Sequence, residues 1–147
     1  MAGFGDNTEK NILEALFKQT AFSNPATLYI SLHSADPTDS TATAISNEIS
    51  GNGYARTSVS ADANNATHTY WTAITAGSVS NAANIDMGTA SGGSWNGGSA
   101  IQYFAIFDAS TSGNLIASGQ INSGTGVVVL DGTNLVFPAN NLTLKLD

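Results

Sequence analysis

The 147-residue chain has no cysteine, so neither a disulfide nor a thiolate metal site can support it. It has two histidines, His33 and His68, too few imidazoles for the usual zinc sites, which draw on several Cys or His ligands. Positive charge is scarce as well: Lys10, Lys18, Arg56 and Lys145 stand against eleven acidic residues, for a net charge of −7. Four scattered cations cannot neutralise a run of phosphates, so no nucleic-acid partner is expected, and no anionic membrane for the same reason. Long hydrophobic runs are missing too. Stretches such as YFAIF and VVVL fall far short of the roughly 20 apolar residues of a membrane helix. The first ten residues, MAGFGDNTEK, have neither a basic nor an apolar region of a leader, so synthesis in a cytoplasm is expected. Charged residues make up only 10% of the chain against about 25% in ordinary globular domains. Gly, Ser, Thr, Asn and Ala take their place, a surface suited to packing into a larger assembly.

One helix is expected. DNTEKNILEALFKQTAF starts at Asp6, with Glu9 three residues on, as in a capping box. Ile12, Leu13, Leu16 and Phe17 form one apolar stripe, and the helix should stop near Gln19, ahead of Asn24-Pro25. The stripe has two uses: packing on the domain's own sheet, or docking on a neighbouring subunit.

Beyond Pro25 the chain reads as strands and turns. In ATLYISLH, Leu28, Ile30 and Leu32 point one way and Tyr29, Ser31 and His33 the other. GYARTSVS and HTYWTAIT follow, then a short NIDMG. AIQYFAIFDA is apolar on both faces and reads as a central, doubly covered strand. NLIASGQI, GVVVLD and TNLVFP come next, and NLTLKLD closes the chain with Leu142, Leu144 and Leu146 inward. About eight short strands with turns between them predict an all-β fold. The expected form is an antiparallel sandwich of jelly-roll type, residues 26–147, behind an N-terminal arm and helix, residues 1–25. Residues 36–53 and 90–99 form long loops of the kind that carry contacts.

The chemistry-bearing residues are few. His33, Asp36 and Asp39 sit together in LHSADPTDS, but Asp36-Pro37 is a sufficient turn signal by itself. A weak calcium site at Asp36 and Asp39 stays open, although the spacing and closing Glu of an EF-hand loop are absent. The glycine-rich ASGGSWNGGS lacks the Lys-Ser/Thr of a P-loop and the following helix of a dinucleotide site. Trp95 within it is either packed at the base of the loop or exposed to grip a partner. No G-x-S-x-G elbow occurs, and a Ser-His-Asp triad is not visible in the sequence. Arg56, the only arginine, should pair with Glu48 or Asp62. The sequons at Asn65 and Asn141 are read as chance. No catalytic, cofactor or metal residue is expected.

Three stretches, LYISLHSADP, GYAR and IFDAS with GNLI after it, lie in order along the chain. With them the chain, from about residue 25 to its end, resembles small virion proteins of tailed bacteriophages, of the kind labelled head-decoration or tail-fibre-like. The resemblance implies a structural β-sandwich without enzymatic activity, assembled on the particle. Its first expectation is a capsid decoration, or cement, protein on the capsid exterior. Such a protein would form a homo-oligomer, a trimer being favoured, and would bind the major capsid protein. It would stabilise the shell by mass action, with the helix residues Ile12, Leu13, Leu16 and Phe17, and Trp95, as contacts. The alternative is a tail fibre or tail-tip component that binds a host surface receptor, with Trp95, Tyr29 and Tyr54 as contact aromatics. A remote alternative is a small glycan-processing enzyme. It would need two facing carboxylates roughly 5–10 Å apart, drawn from Asp36, Asp39, Glu48, Asp86 and Asp108.

Overall fold

A computed structural model of the chain describes residues 3–22, 24–37, 47–62 and 69–145. The alternating stretches become β2 (Thr27–His33), β3 (Thr57–Ser60), β5 (Ile85–Thr89), β6 (Tyr103–Phe107), β7 (Leu115–Gln120), β8 (Asn134–Phe137) and β9 (Thr143–Lys145), each inside a segment read as a strand except β5, which runs one residue past NIDMG. The helix is α1 (Asp6–Lys18). Two short strands carry no sequence signal: β1 (Gly3–Phe4) and β4 (Ser78–Ser80).

The main sheet is antiparallel, in the order β1-β7-β6-β2-β3. Its centre is β6, as the double apolar face of YFAIF requires. Register pairs Ile30 with Ile106 and Leu32 with Phe104, placing all four on one buried face. That face meets two ribbons, β4–β9 and β5–β8, which contribute Ile85, Met87, Leu135, Phe137, Leu142 and Leu144 to the same core. The fold is therefore all-β, antiparallel sheets around one core with a single helix. The second layer is two separate ribbons, without the second four-stranded sheet of a jelly roll among the described residues.

Three local expectations are corrected. Residues 69–75 form the isolated bridges Trp71–Asn81 and Thr75–Ser78 in place of a continuous ladder. The reason is Asp62: its carboxylate accepts the N–H groups of Thr69, Tyr70 and Trp71, the last at 2.9 Å, so a ladder loses those donors. GVVVLD likewise forms no ladder, only the isolated bridge from Val127 to Ile101, while the Val129 carbonyl accepts the Trp95 N–H. At the helix start the cap is Gly5, not Asp6, and no side chain caps it. Asp6 and Glu9 still lie in the first turn, where negative charge suits the helix dipole. The C-terminal end falls as the sequence predicts, with Gln19 in the left-handed region at φ 55°.

Gly5 is needed for contact rather than for backbone freedom. Its N–H donates to the Ile116 carbonyl at 2.9 Å, and a Cβ there would collide with the Leu115 carbonyl oxygen. The closeness of α1 to β7 depends on this bare backbone. Gly5→Ala is expected to cost about 1–3 kcal/mol, the range for overpacking a tight site. Gly3→Ala, where a Cβ meets nothing within 4 Å, should leave the urea midpoint unchanged. Equal midpoints for the two variants would contradict this packing.

Candidate functional site

The strand that carries the candidate histidine is covered on both faces. β2 lies between β3 and β6, and Ser31 and His33, two residues apart on one face, are fully buried. Their face is thus not a solvent-facing polar one, as alternation alone suggests. His33 Nε2 lies 2.8 Å from Ser31 Oγ, and Nδ1 lies 3.0 Å from Asn47 Oδ1. Asn47 Nδ2 donates to the carbonyls of Ala35 and Asp36, which turns Oδ1 toward the ring. Nδ1 therefore carries the proton, and Nε2 and the Ala105 carbonyl compete for the single hydroxyl hydrogen of Ser31. This is the order of nucleophile, base and orienting group in a hydrolytic triad. Its setting argues against that chemistry. A carbonyl carbon must come within about 3–3.5 Å of the attacking oxygen, and Ser31 is fully covered, 3.2 Å from the Ala105 carbonyl, with the Phe107 ring stacked on His33. The arrangement ties residues 34–36 and 47 to β2. Ser31 and Asn47 escaped the sequence reading because only the fold brings position 47 beside position 33.

Beside it lies the ion pair. Arg56 Nε and Nη2 reach Glu48 Oε1 and Oε2 at 2.9 and 2.7 Å, a bidentate fork. Nη1 donates to the carbonyls of Ala109 and Ser112, and the guanidinium lies 3.9 Å from the Phe107 ring centre. Of the two partners predicted for Arg56, the structure selects Glu48. Tyr54 Oη donates to Glu48 and accepts the N–H of Leu32. Burial, countered in part by the Leu32 N–H and reinforced by the Glu48 carboxylate, pushes the Tyr54 hydroxyl far above its ordinary range. Burial alone would raise Glu48, but the Arg56 hydrogen bonds and charge, with help from Tyr54, hold it below the usual value. Burial and the Arg56 charge lower His33, more than its Asn47 hydrogen bond and the Glu48 charge raise it.

Two of the other candidate carboxylates, Asp86 and Asp108, serve turns. Asp86 accepts from Gly88 N at 2.8 Å at the β5 bulge. Asp108 takes both the backbone and side-chain N–H of Asn114. Asp39, His68 and Asn65 lie outside the described residues. Among those described, no three His, Asp or Glu side chains gather to hold a metal ion.

The predicted contact residues separate into two groups. Trp95 is fully buried, donates its indole N–H to the Asn52 carbonyl and meets Tyr54 edge-on at 5.6 Å. The expectation that it grips a partner is corrected: it packs at the base of its loop. Tyr29 packs against Ala105, Phe107 and Leu115, and Tyr54 is tied into the Glu48 cluster. The helix differs. Thr8 is its only buried residue, while Leu13, Leu16 and Phe17 are exposed and Ile12 is half-buried. The stripe does not close onto the chain's own sheet. Between α1, β2 and β7 an apolar groove of about 780 Å³ stays open.

Antiparallel sheets with their polar groups tied into turns, and one helix left apolar outward, describe a β-rich structural module. The chain belongs to the family described as Podophage GP4 fiber I protein gp80, whose model matches residues 3–145. The likeness to tailed-phage virion proteins of fibre-like kind thus extends over nearly the whole chain. No curated protein matches it.

Two outcomes follow from the polar clusters. Arg56→Met should destabilise the fold by about 3 kcal/mol, the low end for breaking a buried pair, since Glu48 keeps some solvent. Arg56→Met combined with Glu48→Leu should recover part of that loss in chemical denaturation, and a double variant weaker than the single one would refute the pairing energetics. The pH dependence has a definite sign. His33 titrates below its ordinary 6.5 when folded, so the unfolded chain binds that proton first. Stability should be complete above 6.5 and decline as the pH falls toward the folded value. Glu48, depressed from 4.5, contributes stability above that value and loses it as the pH falls through its folded pKa. Denaturation midpoints of wild type and His33→Gln across pH 4–8 check this. The decline just below 6.5 should be absent in the variant.

Proposed function

We propose that this chain is a non-enzymatic structural subunit of a phage virion, built into a fibre of the particle. The observation that carries the reading is the family match over residues 3–145, whose printed description is of a fibre protein. The buried His33 cluster and the carboxylates engaged in turns support a structural rather than a chemical role. The exposed stripe on α1 supplies a surface for assembly. On this reading the partners are further copies of the chain and a neighbouring virion protein, and a host receptor is met by the assembled fibre. The capsid-decoration reading shares the β-sandwich and the assembly surface, and differs in copy number.

Quantitative mass spectrometry of purified particles separates the two. A handful of copies per particle, with antibody label at the tail, is the expected result. A ratio to the major shell protein near one, or a simple fraction of it, would place the chain on the capsid lattice and overturn the fibre assignment.

A further inference from the structure

One stretch with the sequence of a strand has no strand beside it. In GVVVLD, residues 126–131, Val127 bridges to Ile101 and the Val129 carbonyl accepts the Trp95 N–H. The side chains still alternate as a strand's do: Val129 is 1% exposed, while Val128 and Leu130 on the other face are 48% and 56% exposed. In an extended chain the backbone groups of successive residues point to opposite edges. Val127 and Val129 use the inner edge. On the outer edge the N–H and carbonyl of Val128 and the N–H of Leu130 have no partner among the described residues.

Unpaired backbone groups persist only where water or another chain meets them. Native sheets guard such an edge with lysine, proline or a bulge. Residues 126–130 carry no charge and no proline, and three successive valines favour a pleated surface. What fits the edge is therefore an extended backbone, which would supply the missing donors and acceptors.

The segment is complementary to itself. In an antiparallel pair centred on Val128, that residue and its copy exchange both N–H···O bonds, and their side chains lie side by side on the outer face. Asp131 is the one charged residue of GVVVLD. It stands three residues from the centre in each copy, so the two carboxylates fall six residues apart, roughly 20 Å at a strand's rise of about 3.3 Å. That separation exceeds the screening length of about 8 Å at physiological salt. In a chain of net charge −7, this register joins two copies without setting these carboxylates against each other.

We infer that two copies of this chain join through residues 126–130, paired as antiparallel strands about a two-fold axis. The same surface is used on both copies, so the contact closes at a dimer. This goes beyond the virion assignment. Self-association of the purified chain and its place on the particle are separate measurements, and each can fail alone.

Sedimentation equilibrium and hydrogen exchange test the pairing together. The wild-type chain should pass from monomer to dimer as its concentration rises. The Val128 amide should exchange freely in the monomer and slow in step with the dimer fraction. Val128→Lys replaces an exposed side chain, and circular dichroism verifies that the variant folds. It should weaken the dimer more than about tenfold, the scale of losing a central contact. Phe17→Ser, on the exposed helix, should leave the dimer as strong as wild type. A chain that stays monomeric at its highest soluble concentration would overturn the inference. So would a dimer whose Val128 amide exchanges as fast as the monomer's, a Val128→Lys dimer of wild-type strength, or loss of the dimer in Phe17→Ser.

Discussion

The bidentate pair between Arg56 and Glu48 is the interaction on which the polar half of this structure rests. One guanidinium joins three stretches of chain that are distant in sequence, around residues 48, 56 and 107–112. It grips Glu48 ahead of β3, the carbonyls of Ala109 and Ser112 in the turn after β6, and the face of Phe107 at the end of β6. Tyr54 extends the connection through Glu48 to the Leu32 N–H in β2. A guanidinium suits this place because its planar fork serves a carboxylate and two carbonyls while its face lies on an aromatic ring. A lysine ammonium has neither the fork nor the plane.

Next to this cluster, Ser31, His33 and Asn47 show how much burial matters to a chemical reading. The distances are those of a catalytic relay, and the solvent exposure is that of a core. Their hydrogen bonds hold the segment after β2 against the sheet. Side chains with catalytic potential serve as fasteners here, in keeping with a chain whose role is to build a particle.

The helix presents the opposite case. Its stripe has the spacing of a core-facing surface, yet Gly5 draws only the first turn close to β7 and leaves the later turns standing off the sheet. Packing at one end and exposure at the other create the groove and the outer edge together. The same constraint that joins α1 to the fold thus leaves its apolar stripe exposed.

Several features were determined by the sequence itself. Alternation placed β2, β6, β7 and β9, because a period of two with β-branched and aromatic residues states both strand and face. The double apolar face of YFAIF put β6 at the centre. The stretches around LYISLHSADP, GYAR and IFDAS pointed to the virion family. Local pattern failed where a distant group decided the outcome. Asp62 capped the donors of Thr69 to Trp71 and prevented a strand there. The Asn52 carbonyl took the Trp95 indole and drew that side chain into the core. Position 47 reached position 33 only through the folded chain. Which side of α1 meets the sheet was likewise a tertiary decision, because an amphipathic stripe states that an apolar face exists but not which surface covers it.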